Sequence, residues 1–204
     1  MRYRRTMTKI RLIRDTLALG GLVVGGAGLA DLLLARLARD ERGPDPVIRS
    51  TVEIAAPIDR VWEVLADIER QPTWMHEMKE VRLHTPPPTG VGTRGEATVR
   101  ILGIGVTDPV EVEVHEPPRR FGIRHEGRFG GAGLLTLTPR PGGRSTIVHW
   151  EERLVPPVFP HLGAALQKPI LSRIFQGDLE RLRAIVEEEE RLRALAALEA
   201  AAGL

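Results

Sequence analysis

The chain has 204 residues, enough for one domain of ordinary size and an appendage, and it carries a formal net charge of only +2. It contains no cysteine, which excludes disulfides, thiolate metal sites and cysteine nucleophiles. The body of the chain has no long basic run with interleaved aromatic residues, so a nucleic-acid partner is not expected.

The N-terminal segment, residues 1–38, is first basic and then apolar. Residues 16–30 contain no charged side chain, and the apolar run reaches about 20 residues, the length of a membrane span, only by including Asp31. The pattern predicts a single-pass anchor over residues 16–35 that has the membrane as its partner. A cleaved signal peptide and a soluble helix packed on its own domain are the alternatives. The basic residues before the run are Arg2, Arg4, Arg5, Lys9, Arg11 and Arg14.

The orientation of such an anchor follows from these basic residues. Arg36, Arg39 and Arg42 on the other side are diluted by nearby acidic side chains. The positive-inside rule then predicts a cytoplasmic N-terminus and an extracytoplasmic globular domain. The alternative interpretations of the segment predict a protein secreted after signal cleavage, or a cytoplasmic one.

A polar linker with two prolines is predicted over residues 39–46, and the globular domain over residues 47–190. Apolar residues that alternate with polar ones predict a strand over 47–54. A helix is predicted over 57–66, where Pro57 suits the first turn, and a second short helix or turn over 67–74.

The middle of the chain is predicted to be all strand. Short apolar runs separated by Pro- and Gly-rich breaks predict strands over 79–84, 92–102, 105–115, 119–128, 133–138 and 145–154. Consecutive short strands with tight breaks indicate an antiparallel meander.

The end of the chain is predicted to be helical. Apolar residues from Leu162 to Val186 recur at helical spacing, and Pro169 is expected to kink or break this helix because it removes a backbone donor. Residues 191–204 are rich in helix formers but poor in apolar residues, so a helical tail in solvent is predicted there.

Four features occur in a recognisable order along the chain. They are A-A-P-I-D-R-V-W-E-V-L-A-D at 55–67, the pair Pro72 and Trp74, S-T-I-V-H-W at 145–150, and D-L-E-R-L-R-A-I-V-E at 178–187. In this order they resemble the START-like, Bet v 1-like (SRPBCC) superfamily, and most closely its polyketide cyclase/dehydrase-type branch, from residue 47 to about residue 190. The hydrophobic segment before the domain is an addition to the family pattern.

The resemblance implies an α+β helix-grip fold. A curved antiparallel sheet of about seven strands, two short helices and a long C-terminal helix would enclose an apolar cavity, with an extra N-terminal hydrophobic helix. A cavity of this kind binds a hydrophobic small molecule such as a lipid or a polyketide. The expected ligand-binding residues are inward strand positions, helix positions and Trp74 near the entrance: Trp74, Val99, Ile101, Val112, Val114, Phe121, Ile123, His125, Trp150, Leu166, Ile170 and Ile174.

Three polar residues are candidates for catalysis if they point into the cavity together: His125, Glu152 and Arg124. His125 shares the parity of Phe121 and could be a general base or a hydrogen-bonded structural residue. Glu152 could be an acid or base with a raised pKa, but an ion pair with an arginine is the favoured interpretation. None of the histidines falls into a compact metal-binding pattern, so neither a metal nor a cofactor is expected.

The sequence therefore supports three hypotheses. The favoured one is a membrane-anchored, non-enzymatic module that binds a hydrophobic small molecule. The second is an enzyme of the cyclase/dehydratase type, which needs the polar candidates inside the cavity. The third is a protein-interaction or stress-response module whose interior is filled by its own side chains.

Overall fold

The structure is a computed structural model that describes residues 2–39, 47–101, 103–127, 130–156 and 158–203. The predicted linker over residues 39–46 lies outside these ranges except for its first residue. The predicted division of the chain into segments stays a prediction.

One antiparallel sheet of seven strands forms the centre of the protein. Its strands follow the order β1-β7-β6-β5-β4-β3-β2, so all neighbours except β1 and β7 are consecutive in the chain. This arrangement confirms the predicted meander. The strands are β1 (Ile48–Ile54), β2 (Met78–Leu83), β3 (Arg94–Ile101), β4 (Ile104–Glu116), β5 (Arg120–Glu126), β6 (Gly130–Pro139) and β7 (Thr146–Val155).

The helices that follow β1 cover one face of this curved sheet, and the predicted α+β fold class is confirmed. The first helix precedes the sheet, two short helices and a 3-10 turn follow β1, and one long helix closes the chain. They are α1 (Arg2–Arg39), α2 (Ile58–Leu65), the 3-10 turn (Ile68–Arg70), α3 (Gln71–Trp74) and α4 (Pro160–Ala202).

The hydrophobic core lies between the sheet and the helices. Strand β1 alternates strictly between buried and exposed residues, as a strand with one solvated face does. Val61 and Leu65 of α2 are fully buried on the same side, together with Leu179 and Leu182 of α4. Helix α4 packs along β1 and β7 and also contacts α2 and α3, so it holds both layers together.

Helix α4 is longer and more continuous than the sequence predicted. It runs for 43 residues with Pro169 inside it, so the proline does not break the helix. Proline removes one backbone donor, and a long helix packed against a sheet can absorb this loss because tertiary packing supplies most of its stability.

Helix α1 is attached to the start of α4 through Asp31. Its Oδ1 atom accepts hydrogen bonds from the backbone N–H groups of His161 and Leu162, both at 2.8 Å. Phe159, the residue before α4, makes no side-chain cap, so Asp31 satisfies these otherwise free donors. The hydrogen bond from Leu162 is the main cause that holds the pKa of Asp31 below its ordinary value, because the carboxylate is the form that accepts it.

Across the residues that the structure describes, no helix combines the length and the apolar character that a membrane crossing requires. The predicted transmembrane span over residues 16–35 is therefore unsupported.

Candidate functional site

A cavity of about 400 Å³ lies between the concave side of the sheet and helices α3 and α4. Most of its lining is apolar, with contributions from strands β2 to β7 on one wall and from the helices on the other. Binding sites for small molecules typically combine such an apolar lining with a few placed polar groups.

Eight of the twelve expected ligand-binding residues line this cavity. Their side chains point inward from the strands of the sheet or lie on the side of α4 that faces the cavity. They are Val99, Ile101, Phe121, Ile123, His125, Trp150, Ile170 and Ile174. Whether these residues bind a ligand stays a prediction.

Trp74 and Val112 lie in the solid core instead of the lining. Trp74 was expected near the entrance, but its side chain is fully buried and its ring meets that of Trp150 edge to face at 6.2 Å between centroids. Burial of an indole against another aromatic ring is favourable, which explains why it packs beneath the cavity wall.

Val114 and Leu166 are not part of the lining either. A β-bulge between Val112 and Val114 shifts the register of β4 against β5, so simple alternation fails there. After the bulge it is His115 whose ring lies against Trp62, at 5.5 Å between centroids. Leu166 is 67% exposed, because the cavity-facing stripe of α4 passes through Gln167 instead.

The centre of the polar lining is a hydrogen-bonded pair, His125 and Glu152. His125 Nε2 lies 3.0 Å from Glu152 Oε1, and the indole N–H of Trp150 donates to Glu152 Oε2 at 2.9 Å. Glu152 is 4% exposed. The favoured interpretation of Glu152 as the partner of an arginine was therefore wrong, and His125 has the acidic partner that the sequence did not reveal.

Glycine residues provide the space for the carboxylates in this lining. A Cβ atom at Gly133, directly opposite Glu152 in the sheet, would lie 2.2 Å from Glu152 Oε2. A Cβ atom at Gly127 would lie 1.9 Å from Asp108 Oδ1 in the same way. The carboxylates of Glu152 and Asp108 therefore occupy the volume that the Cβ atom of a non-glycine residue at position 133 or 127 would fill.

The protonation of His125 follows from competing effects. Burial disfavours its charged form, but the hydrogen bond and the negative charge of Glu152, with a further contribution from Asp108, outweigh it. The pKa of His125 is therefore raised above its ordinary value of 6.5. A histidine with an acidic partner can hold a proton inside an apolar cavity and transfer it to a bound molecule.

Arg124 does not join this pair. Its guanidinium lies on the outer face of the sheet, 3.1 Å from Glu111 and 3.0 Å from Glu126. Adjacent strand residues point to opposite faces, so Arg124 cannot share the side of His125. The enzymatic hypothesis needs the polar candidates to point into the cavity together, and Arg124 does not meet this condition.

Among the polar residues on the helix wall that were not predicted, two are almost fully buried. Gln71 is 1% exposed and Asp178 is 2% exposed, and both line the cavity. Asp178 accepts the backbone N–H of His76 at 2.9 Å and a hydrogen bond from Arg181 at 2.7 Å. Burial is the main cause that raises the pKa of Asp178, and these hydrogen bonds oppose the rise.

A sequence signal existed for Asp178 but not for Gln71. Asp178 lies four residues after Ile174, on the stripe that contains Ile170, so a carboxylate interrupts an otherwise apolar helix face. Gln71 stands in a short irregular segment before Pro72, where no periodicity reports its direction. In the described part of the chain, no group of three or more His, Asp and Glu side chains is placed to hold a metal ion.

Comparison with known proteins agrees with this geometry. The family model described as polyketide cyclase / dehydrase and lipid transport matches residues 45–187. Among curated proteins, none matches this chain.

Several solved structures share the fold. The Zhui aromatase/cyclase from Streptomyces sp. R1128 is 19% identical, with a TM-score of 0.55 and coverage of 73% of this chain and 96% of that protein. A START superfamily protein from Mycobacterium smegmatis is 20% identical, with a TM-score of 0.52 and coverage of 72% and 98%. A protein from Thermus thermophilus is 24% identical, with a TM-score of 0.52 and coverage of 74% and 99%. At these identities the likeness concerns the fold alone.

Proposed function

Because the chain belongs to the polyketide cyclase/dehydrase and lipid transport family, we propose that it is a binding module for a hydrophobic small molecule, held between the sheet and helix α4. The observation that carries this proposal is the cavity of about 400 Å³ with its mostly apolar lining. Burial of apolar surface supplies the main driving force for such binding, at roughly 25 cal/mol per Å² before the costs of association. An interior filled by its own side chains, which the interaction-module hypothesis requires, does not agree with an open cavity.

The test is native mass spectrometry of the full chain after gentle purification, followed by organic extraction. A co-purifying apolar metabolite at near-unit stoichiometry supports the proposal and names the ligand class. Val99→Trp, which fills the cavity, should reduce this occupancy. Val91→Trp adds the same side chain at a position that is 69% exposed and should leave it unchanged. Equal occupancy in both variants would contradict the proposal.

A second candidate function is a cyclase/dehydratase reaction, and the His125–Glu152 pair is the observation that favours it. The neutral imidazole of His125 would take a proton from the carbon next to a ketone. The resulting imidazolium would return this proton to a β-hydroxyl group, which leaves as water while the carbon–carbon double bond forms. Glu152 would stabilise the imidazolium and fix its orientation.

This reaction can be tested with 4-hydroxy-4-phenylbutan-2-one, whose dehydration gives a conjugated enone that absorbs in the near ultraviolet. Acid–base catalysis of this kind contributes about 100- to 10,000-fold, so His125→Ala should lose at least about 100-fold in rate. His149→Ala is the matched control, because His149 is exposed and hydrogen-bonds to Thr51. Turnover that His125→Ala retains would exclude the mechanism.

For the membrane, we propose attachment at a surface through α1. Its apolar residues are unusually exposed, with Val23 at 65%, Leu29 at 62% and Leu32 at 61%, and the sequence before them is basic up to Arg14. Exposed apolar side chains next to basic residues bind anionic lipid surfaces. The full chain should sediment together with vesicles that contain phosphatidylserine. The double variant Val23→Ser with Leu32→Ser should reduce the fraction of protein that sediments. Absence of binding to these vesicles would reject the attachment.

A further inference from the structure

The amide nitrogen of Gln71 is an unused hydrogen-bond donor at the cavity. The side chain is 1% exposed, lines the cavity and has no hydrogen-bond partner for Nε2 among the residues that the structure describes. Buried amide groups nearly always have a hydrogen-bond partner, so a buried amide nitrogen without one is an exception that indicates a missing acceptor. Gln167 lines the same cavity, but its Nε2 donates to the carbonyl of Leu154 at 3.0 Å.

Neighbouring backbone contacts hold Gln71 in place. It begins α3, its carbonyl accepts the N–H of Met75 at 2.8 Å, and its own N–H bonds to the carbonyl of Ile68. Pro72 follows directly and restricts the backbone further. A donor on such a fixed backbone loses little freedom when a ligand accepts its hydrogen bond.

Asp178, on the same wall of the cavity, is engaged through one of its two carboxylate oxygens, Oδ1. Asp178 accepts hydrogen bonds from His76 and Arg181, as described above. The other lining residues next to Gln71 in the chain are apolar, Ile68 and Met75. No described protein group accepts a hydrogen bond from this amide, so a ligand in the cavity is the candidate source of an acceptor.

The charges of the lining limit what that acceptor can be. Four carboxylate residues line the described cavity against one imidazole, His125, and they are Glu77, Asp108, Glu152 and Asp178. A ligand that carries a carboxylate would meet this excess of negative charge in a site of low dielectric, where like charges repel strongly. A neutral oxygen, as in a ketone or an ester, avoids the repulsion and still accepts from an amide.

We propose that Gln71 Nε2 is the specificity-determining donor of the cavity and selects neutral, carbonyl-bearing apolar molecules over hydrocarbons and carboxylates of the same shape. This inference rests on the proposed binding function and adds the ligand class. The carbonyl oxygen of the ligand would lie against the helix wall, and its apolar body would lie along the sheet.

Three probes of matched shape test the selection: 2-acetylnaphthalene, 2-isopropylnaphthalene and 2-naphthoate. Binding to the full chain can be followed through its intrinsic tryptophan fluorescence, because Trp150, one of three tryptophans, lines the cavity. The expected order of affinity is ketone, hydrocarbon, carboxylate. The ketone should bind about five- to tenfold more tightly than the hydrocarbon, as expected for one neutral hydrogen bond that satisfies a buried donor.

Gln71→Leu should reduce the affinity for the ketone to that for the hydrocarbon, within about twofold, and leave hydrocarbon binding intact. Gln176→Leu is the matched control and should keep the ketone preference, because Gln176 lies outside the cavity lining and its amide donates to the carbonyl of Thr51. A preference that survives Gln71→Leu, an equal loss in both variants, or naphthoate binding as tight as ketone binding would overturn the inference. Failure of every probe to bind the unaltered chain would instead reject the proposed function.

Discussion

His125 Nε2 lies 3.0 Å from Glu152 Oε1, although strand β6 runs between the strands that carry the two residues. The contact is possible because the residue of β6 opposite Glu152 is Gly133, which has no side chain to fill the space. The polar centre of the cavity therefore depends on a missing side chain as much as on the two that are present.

The first prediction concerns the proton on His125. Glu152→Gln removes the negative charge that stabilises the imidazolium but leaves the burial that opposes it, so the pKa of His125 should fall. An NMR titration of the His125 ring protons measures this directly. Glu151→Gln is the control, because Glu151 is exposed and bonds to Arg49 on the outer face. The same titration curve in both variants would refute the assignment.

The second prediction is a pH dependence of stability. The folded protein binds the His125 proton more tightly than the unfolded chain does, since the pKa is raised above 6.5. The resulting stabilisation is complete below that value and disappears as the pH rises through the higher folded pKa. Urea unfolding from pH 6 upward should show this decrease, and His125→Gln should show a flatter profile. An identical slope for the variant would assign the effect to other groups.

The third prediction tests the space at Gly133. Gly133→Ala places a Cβ atom in the position that Glu152 occupies, and we expect a loss of about 1–3 kcal/mol in the free energy of unfolding, typical of overpacking. Gly130→Ala, on the same strand, meets nothing within 4 Å and should change the free energy by no more than about 0.5 kcal/mol. Denaturant unfolding compares the two variants. Equal effects would mean that the Glu152 carboxylate does not need this space.

The fourth prediction concerns the attachment of α1. Asp31→Ala removes the acceptor for the N–H groups of His161 and Leu162, so these amides should exchange hydrogen faster with solvent. Asp31→Asn keeps a side-chain oxygen at the same place and should retain most of the protection. Hydrogen-exchange mass spectrometry of peptides from the start of α4 measures the difference. Unchanged exchange in Asp31→Ala would show that other contacts hold the helix start.

Sequence periodicity predicted the fold because the strands bury one face and α4 buries one stripe. It placed Phe121, Ile123 and Trp150 on the cavity side correctly, since alternation holds along regular strands. It failed at Val114, where a bulge adds one residue to β4. No alternation pattern records an extra residue of this kind.

The polar parts of the site were harder to predict because they depend on contacts distant in the chain. His125 and Glu152 are 27 residues apart, and only the sheet register brings them together. Gln71 has no periodic neighbours that report its direction. For such residues the sequence shows which functional group is present, but only the tertiary fold determines which group it contacts.

The contact of Asp31 with the start of α4 has a consequence for communication between α1 and the cavity. Ile170, in the third turn of the same helix, lines the cavity, so one helix contacts both the cavity and the attachment point. If a surface and a cavity ligand each bind more strongly in one position of α4 than in another, occupancy of the cavity must alter surface binding, and the surface must alter ligand affinity by the same factor. Ligand binding in the cavity and attachment of α1 to a surface would then be linked steps of a single thermodynamic cycle.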